Sequence, residues 1–264
     1  MKYAVVTGAY GGMGKRAVEE LVKSGFTVFA LDKQIGEATE RVIPIQTDVT
    51  DAESLKNAFK TVKSVADEVF AVVHFAGVYM LDSLIEIANE EFDRIVKINF
   101  CGAAYVNKTF MPLLGAGSRI VIVTSELAPL SPLPFTGLYA VTKGALDTYA
   151  YSLRMELQLL GVSVSVIRAG AVSTGMLGVS TAALDRFCEK TQLYSCNAER
   201  FRKIVNGVEA KSIPPEKLAV KTLKILEAKK PKFAYNINRN KLLLLLNVLP
   251  KRMQFWVIKR LLRK

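Results

Sequence analysis

Tyr139 and Lys143 stand four residues apart in the stretch YAVTK, and their types and spacing suit proton transfer. On a helix, residues at i and i+4 lie on the same face, so the ammonium would stand one turn from the phenol. Free tyrosine has a pKa of about 10, too high for a base at neutral pH. A cation held within roughly 4–6 Å lowers the pKa of an acid by about 1–3 units. The alternative is that both side chains lie on the surface without a functional role. If they interact, Lys143 should lower the pKa of Tyr139.

Apolar, β-branched runs alternate with amphipathic stretches of helical length. The predicted strands are Tyr3–Thr7, Thr27–Leu31, Val42–Gln46, Val69–Phe75, Arg119–Thr124, Val162–Arg168 and Lys232–Ile237. The predicted helices are Met13–Lys23, Ser54–Val65, Glu91–Leu114, Tyr139–Leu160 and Pro215–Lys229. Several strands are apolar throughout, as expected when both faces of a parallel sheet are covered. The sequence predicts an α/β fold, a doubly wound parallel β-sheet with helices on both faces.

The first predicted strand runs directly into the glycine-rich turn TGAYGGMG, which opens the first predicted helix. Glycines allow a tight turn and the close approach of a pyrophosphate, and the helix N-terminus supplies free amides and a positive dipole end. This context favours a dinucleotide site on a Rossmann-type sheet over a plain glycine-rich loop. The residues expected to bind the cofactor here are Gly8, Tyr10, Gly12, Met13 and Gly14.

The second predicted strand ends at Asp32, whose carboxylate can accept hydrogen bonds from the adenosine ribose hydroxyls. The same charge repels a 2′-phosphate, so Asp32 favours NAD over NADP. Lys15, Arg16 and Lys33 are close enough in sequence to weaken this preference.

Two further strand ends should meet the cofactor in the same crevice. Asp48 and Val49 follow the third strand, where the adenine edge is expected, although Asp48 could equally belong to a helix N-terminus. Ala76 and Gly77 follow the fourth strand in the stretch FAGV.

These motifs together resemble those of the short-chain dehydrogenase/reductase family. The resemblance covers residues 1–237 and is carried, in the family's order, by TGAYGGMG, DV, AG, INFCG, VTS, YAVTK and RAGAVST. It implies an NAD(P)-dependent oxidoreductase that interconverts an alcohol and a ketone, with hydride moving at nicotinamide C4.

The resemblance also implies the roles of four catalytic residues. Tyr139 would donate or remove the proton, Ser125 would orient the substrate oxygen, and Lys143 would also hydrogen-bond the nicotinamide ribose. Asn99 would bend the long helix and hold a water of the proton relay. Taken alone, Asn99 reads more simply as a buried polar residue satisfied by backbone.

The remaining cofactor residues implied by the resemblance are Val172 and Thr174, in a segment that should wrap the nicotinamide carboxamide. Three positions depart from the family pattern. His74 and Phe75 replace the two asparagines usual before the AG pair, and Ala169 replaces a proline. His74 is the only histidine of the chain and reads as structural.

Composition bounds the protein class. The 264 residues are half hydrophobic and suit one large domain, taken as 1–238, with a C-terminal extension over 239–264. The three cysteines Cys101, Cys188 and Cys196 form no metal-ligand pattern and are expected to be free thiols. With no signal peptide and no apolar run of about 20 residues, the sequence predicts a cytoplasmic protein.

The net charge of +12 is concentrated at the C-terminus. Eleven basic residues and no acidic one fall at or after Lys229, which leaves 25 basic and 24 acidic residues before it. A nearly neutral body argues against nucleic-acid binding. On a helical wheel of Lys251–Lys264, one predicted face carries Phe255, Val257, Ile258, Leu261 and Leu262, and Arg252, Lys259 and Arg263 lie opposite. This basic, amphipathic extension could contact a membrane surface, pack on its own or a neighbouring subunit, or roof an apolar substrate pocket.

The combined expectation is an NAD(H)-dependent oxidoreductase acting on a secondary alcohol or ketone of a lipophilic substrate such as a hydroxysteroid or a retinoid. A substrate loop, or lid, is expected at about 174–211, and a homodimer or homotetramer on the long helices. The alternatives are a 3-oxoacyl-carrier-protein reductase, which Asp32 disfavours, and a non-catalytic dinucleotide-binding sensor or scaffold.

Overall fold

The computed structural model describes residues 2–209 and 212–263, and the side chains of 175–181 and 206–209 lie outside this description. Within it, seven parallel strands form one sheet in the order β3-β2-β1-β4-β5-β6-β7. The strands are β1 Lys2–Thr7, β2 Phe26–Asp32, β3 Val42–Gln46, β4 Ala71–His74, β5 Arg119–Val123, β6 Ser163–Ala169 and β7 Ala234–Ile237. The predicted doubly wound parallel sheet is confirmed.

Helices cover both faces of this sheet. The described α-helices, including those of residues 174–211 and of the C-terminal extension, are α1 Gly12–Lys23, α2 Ala52–Val65, α3 Asn89–Val96, α4 Gly102–Phe110, α5 Gly137–Leu157, α6 Gly175–Lys190, α7 Ser195–Glu209, α8 Pro215–Glu227, α9 Lys241–Val248 and α10 Lys251–Leu262. None of the described helices has the length and apolar character needed to cross a bilayer.

The strand order reverses at β1, which lies between β2 and β4. Thr7 at the end of β1 pairs with His74 at the end of β4, so the carboxyl ends of both strands open onto one crevice. Open α/β sheets bind ligands at such a switch point.

The core is divided between the two faces of the sheet. Val5 and Val72 pack with residues of α2, α4 and α5 on one face. Ala4 and Val6 alternate with Val5 and pack with residues of α1 and α8 on the other. This two-sided burial explains why the strands lack polar alternation.

The helix predicted for Glu91–Leu114 is interrupted. A π-helical turn, Lys97–Cys101, separates α3 from α4, and a short 3-10 turn follows α4. Periodicity alone predicts one long helix because the π turn adds a residue without breaking the apolar pattern. Such turns occur frequently at functional sites.

Residues 174–211 were expected to form a lid with helical fragments and no strand. The described part consists of α6 and α7, and residues 210 and 211 lie outside the description. Leu184, Phe187 and Phe201 form a small core of their own with Leu81 and Phe135.

The C-terminal extension packs on its own chain. The amide of Ser131 donates to Asn247 Oδ1 over 2.7 Å, and Asn197 Nδ2 donates to the carbonyl of Leu262 over 2.6 Å. Gln254 of α10 is buried and donates to the carbonyl of Leu249, just after α9, over 2.8 Å.

The apolar face predicted for α10 is only partly covered by the rest of the chain. Val257, Ile258 and Leu262 are partly buried, whereas Phe255 and Leu261 are exposed. Fewer side chains of α10 are covered than its apolar pattern suggests. Gln254 is the buried residue of this helix, whereas Phe255 is exposed.

Candidate active site

Ser125 and Tyr139 meet where β5 and α5 converge. Ser125 follows β5 by two residues and is buried, and Tyr139 is the third residue of α5. The Ser125 hydroxyl hydrogen-bonds the phenol of Tyr139. Burial raises the pKa of Tyr139 to about 12, and the bond from Ser125 offsets only part of this rise. The phenol is therefore protonated at neutral pH.

Lys143 lies one turn further along α5, as predicted, but its ammonium is turned toward the sheet. Its Nζ donates to the carbonyl of Val123 over 3.2 Å and stands 5.9 Å from the centre of the Tyr139 ring. Burial lowers the pKa of Lys143 to about 8. The predicted lowering of the pKa of Tyr139 is thus wrong for this structure, because burial raises the pKa of the phenol by more than the hydrogen bond from Ser125 lowers it.

Asn99 ties the π-helical turn to the loop after β4. Its Nδ2 donates to the carbonyl of Val78 over 2.9 Å and to the hydroxyl of Thr142 over 3.2 Å, and its Oδ1 accepts the amide of Val78 over 2.8 Å. A Cβ on Gly77 would lie 3.3 Å from both Asn99 Oδ1 and Lys143 Nζ. Asn99 lies in the interruption of the long helix, and its hydrogen bonds are made largely to backbone. The two interpretations of Asn99 from the sequence, a residue that bends the helix and a buried polar residue satisfied by backbone, therefore both apply. Its role in holding a water of the proton relay stays a prediction.

Three glycines of the phosphate turn have no room for a side chain. Gly8 has a φ of +65°, and a Cβ there would lie 2.6 Å from the amide nitrogen of Ala76. A Cβ on Gly14 would lie 2.0 Å from the carbonyl oxygen of Gly8, and one on Gly12 would lie 2.6 Å from Cβ of Thr174. The turn therefore packs directly against the loop after β4 and the start of the lid.

Asp32 shapes the same turn from the end of β2. Its Oδ2 accepts the amide of Tyr10 over 3.0 Å, and its Oδ1 accepts the amide of Gln34 over 3.2 Å. The carboxylate is partly exposed and faces the crevice.

Two cations that could weaken the repulsion between Asp32 and a 2′-phosphate are paired with other carboxylates. Lys33 Nζ lies 2.8 Å from Asp48 Oδ2, and Arg16 Nε lies 3.0 Å from Glu216 Oε1. Burial would raise the pKa of Asp48, but hydrogen bonds from Lys33 and Thr50 outweigh it and lower that pKa. The N-cap of α2 is Asp51 rather than Asp48.

Two adjoining cavities meet at these residues. The first, of about 650 Å³, follows the carboxyl edge of β1, β2 and β4, and the second, of about 540 Å³, lies beside the end of β5. Gly77, Tyr79 and Thr174 line both. The predicted cofactor residues on the first cavity are Gly8, Tyr10, Gly12, Met13, Gly14, Asp32, Asp48, Val49, Ala76, Gly77 and Thr174. Ser125, Tyr139, Lys143 and Val172 line the second. Asn99 lies behind the wall, against Gly77.

The second cavity also has walls that the sequence did not predict. The ring of Tyr79 meets that of Tyr139 edge-on with 4.9 Å between centres. Glu126 follows Ser125, and its Oε2 accepts the amide of Asn240 over 2.5 Å. Burial raises the pKa of Glu126, which the Asn240 amide and the charge of Arg239 partly offset. Glu126 could have been predicted to line the cavity from the sequence, because it is an acidic residue directly after a buried strand and Ser125.

The start of α9 closes the second cavity. Lys241, Leu242 and Leu243 line it, together with Asn238 and Arg239 from the segment that follows β7. Of the three uses considered for the C-terminal extension, roofing of an apolar pocket therefore agrees with its position.

His74 is buried and lines neither of the two cavities. Burial lowers its pKa to about 4, against the effect of the 2.8 Å hydrogen bond between Nε2 and Asn107 Oδ1. The structural reading of this lone histidine agrees with its position. Cys101, Cys188 and Cys196 are free thiols, as predicted.

Comparison with known proteins gives a consistent result. A family model described as short chain dehydrogenase matches residues 2–185. Estradiol 17-beta-dehydrogenase 2 of Mus musculus is 36% identical over 189 residues, which cover 67% of this chain and 50% of that protein. The chain thus spans about half the length of this relative.

A second relative matches over nearly its full length. The NADPH-dependent 3-dehydrocapnine reductase of Ornithobacterium rhinotracheale is 28% identical over 257 residues, 92% of this chain and 90% of that protein. Among solved structures, a short-chain dehydrogenase from Streptomyces avermitilis superposes with a TM-score of 0.80 at 21% identity, covering 98% of this chain and 96% of that one. At that identity the likeness supports the fold.

Proposed function

We propose that this chain, which belongs to the short-chain dehydrogenase family, is an NAD(H)-dependent oxidoreductase that interconverts a secondary alcohol and a ketone on a lipophilic substrate. The observation that carries the proposal is the position of Ser125, Tyr139 and Lys143 on the second cavity, beside the glycine turn of the first. Members of the family bind a nicotinamide dinucleotide, which supplies or accepts a hydride when bound.

The chain's own groups suit proton transfer to the substrate oxygen. In the reductive direction, Ser125 donates a hydrogen bond to the carbonyl oxygen, and Tyr139 gives up its phenolic proton to the developing alkoxide. The raised pKa of Tyr139 keeps that proton available at neutral pH. Lys143, whose Nζ stands 5.9 Å from the ring centre, stabilises the phenolate that remains. Oxidation runs these steps in reverse.

NAD is the proposed cofactor because of the charge near the adenosine ribose. Asp32 faces the first cavity, and Lys33 and Arg16 are paired with Asp48 and Glu216. A 2′-phosphate would thus meet an anion, and two of the three cations close to it in sequence are engaged with other carboxylates. The NADPH dependence named for the 3-dehydrocapnine reductase makes this preference the first one to measure.

The preference can be measured by removing the charge of Asp32 alone. Asp32→Asn retains a side-chain acceptor but removes the repulsion, so we expect the ratio of kcat/KM for NADP over NAD to rise about tenfold or more, equivalent to ~1.4 kcal/mol. Asp67→Asn, which changes an exposed carboxylate outside the crevice, should leave the ratio unchanged. An unchanged ratio in Asp32→Asn would contradict the proposed role.

The lipophilic substrate is proposed from the walls of the second cavity. Leu127, Leu133 and Phe201 line it beside the α9 roof. A volume of about 540 Å³ is in the range of pockets that bury drug-sized ligands. The estradiol dehydrogenase among the relatives supports a hydroxysteroid within this class.

Turnover by the purified chain tests activity and substrate class together. NADH oxidation would be followed with a panel of oxosteroids, retinoids, 3-oxoacyl esters and small polar ketones. We expect turnover of one or more lipophilic carbonyls. Turnover of small polar ketones alone would contradict the substrate class, and NADH binding without hydride transfer would indicate a sensor.

A homodimer or homotetramer built on the long helices is also proposed. Exposed apolar side chains on α4 and α5 support it, namely Tyr105, Val141, Tyr151 and Met155. Sedimentation of the purified chain measures the stoichiometry, and a monomer at micromolar concentration would contradict it.

A further inference from the structure

The solvent side of α10 combines aromatic and basic side chains on one face. Phe255 is 68% exposed and Trp256 is 66% exposed. Arg252, Lys259 and Arg263 are exposed as well. Arg252, Phe255, Trp256 and Lys259 follow the spacing i, i+3, i+4 and i+7, which places them on one side of the helix, and Arg263 directly follows the last helical residue. We call this set the α10 outer face.

The outer face is held outward by packing on its opposite side. Gln254 is buried, and Val257, Ile258 and Leu262 are partly buried. The carbonyl of Leu262 accepts a hydrogen bond from Asn197 on α7. The aromatic side chains of the outer face are therefore presented to solvent by a helix that is already fixed to the lid.

The preceding helix, α9, adds exposed aliphatic side chains. Leu245 is 64% exposed and Val248 is 82% exposed. Leu242 is exposed too, and it lines the second cavity from the roof. Exposed apolar side chains thus occur along α9 from Val248 to Leu242, at the wall of the proposed substrate pocket.

The charge of the extension selects the partner. Residues 239–264 carry eight basic residues and no acidic one. Basic side chains attract anionic lipid headgroups, and tryptophan and phenylalanine insert at the boundary between headgroups and acyl chains. A nucleic acid would complement the charge but not the exposed leucines and valine of α9. A second copy of this chain would bring an equally basic surface into contact.

We propose that α9 and the α10 outer face dock the protein on an anionic bilayer surface. The docked helices lie in the interface, with Phe255 and Trp256 inserted and Arg252, Lys259 and Arg263 on headgroups. The roof of the second cavity then faces the acyl chains, from which a lipophilic substrate enters past Leu242. This deepens the proposed function, since the route of entry rests on a lipophilic substrate, whereas the docking itself does not.

Vesicle binding by the full-length chain tests the docking without any turnover. Trp256 is the only tryptophan, so its emission reports insertion without a label. Vesicles of phosphatidylcholine alone and of phosphatidylcholine with phosphatidylglycerol are compared by flotation and by emission wavelength. We expect flotation and a blue shift with the anionic vesicles, both weakened by salt.

Two tail variants separate the contributions. Arg252→Gln with Lys259→Gln should weaken partitioning roughly 25-fold, about fivefold per cation. Phe255→Ser should weaken it while retaining the Trp256 reporter. Lys56→Gln with Lys60→Gln on α2, and Leu159→Ser, which changes an apolar side chain that is 82% exposed, serve as matched controls and should bind as the wild type does.

Several results would overturn the docking proposal. These are absence of flotation with anionic vesicles, flotation that the tail variants do not change, a blue shift that depends on protein concentration without lipid, and binding of duplex DNA in place of vesicles. All variants should bind NADH equally, which verifies the fold. Wild-type protein that floats but turns over no lipophilic carbonyl would refute the substrate class and leave the docking intact.

Discussion

At the scale of single residues, burial controls the charge of both ionisable groups at the reaction centre. It raises the pKa of Tyr139 to about 12 and lowers the pKa of Lys143 to about 8. The phenol therefore starts as an acid, and the lysine is close to losing its charge in the alkaline range. The pair acts through positioning and through stabilisation of the phenolate once the proton has left, rather than through a phenol that is ionised beforehand.

The pH dependence of carbonyl reduction should report the titration of the Lys143 ammonium. The kcat/KM reflects the free enzyme, so it should fall as the pH rises through about 8, where the ammonium becomes neutral. The phenol, with a pKa of about 12, does not contribute in this range. Lys143→Met retains the length without the charge and should give a low rate with no such limb. Lys60→Met, on the exposed side of α2, is the control.

His74 supplies a second titration that concerns stability. Its pKa falls from 6.5 to about 4 on folding because the ring is buried. Above pH 6.5 the His74 ring is neutral in both the folded and the unfolded protein, and burial of the neutral ring is tolerated. As the pH falls from 6.5 toward 4, the ring is protonated in the unfolded protein but not in the folded one. Roughly 3 kcal/mol of the free energy of unfolding is therefore lost over this range. Because this is the only histidine, its ring resonances give the pKa directly by NMR.

Denaturant unfolding at pH 7 and at pH 4.5 checks the energetic side of this prediction. The wild type should lose more free energy of unfolding between the two pH values than His74→Asn, whose side chain does not titrate. Equal losses in the two proteins, or a native pKa near 6.5, would contradict the role of burial.

At the scale of elements, the turn from β1 into α1 has the strictest geometry. A Cβ on Gly14 would lie 2.0 Å from the backbone oxygen of Gly8, whereas one on Gly11 would lie 3.4 Å from that atom. Gly14→Ala should therefore distort the turn and abolish dinucleotide binding. Gly11→Ala should bind NADH within about twofold of the wild type. NADH fluorescence titration measures both, and normal affinity in Gly14→Ala would refute this reading of the turn.

The interrupted helix shows what an apolar pattern leaves out. Residues 91–114 were predicted as one helix, and the structure inserts a π turn at Asn99. The interruption coincides with hydrogen bonds from Asn99 to Val78 and Thr142, residues 21 and 43 positions away. Long-range bonds of this kind leave no periodic signal in the segment that they reshape.

At the scale of the whole molecule, the sheet and the glycine turn could be predicted because their causes are local. Both depend on runs of buried residues and on glycine spacing within a few positions. The pKa of Tyr139 was predicted with the wrong sign, since its burial results from packing of several segments. The roof of the second cavity was one of three alternatives, because no pattern in Lys241–Leu243 identifies what those residues cover.

The central claim is that Tyr139 transfers the proton that accompanies hydride transfer. The most direct measurement is single-turnover oxidation of bound NADH by a lipophilic ketone, in wild-type protein and in Tyr139→Phe. The variant should react about 10²–10⁴-fold more slowly while binding NADH with unchanged affinity, and Tyr151→Phe, exposed on the same helix, should react normally. Wild-type rates in Tyr139→Phe would contradict the claim, and loss of NADH affinity together with turnover would assign the tyrosine a structural role.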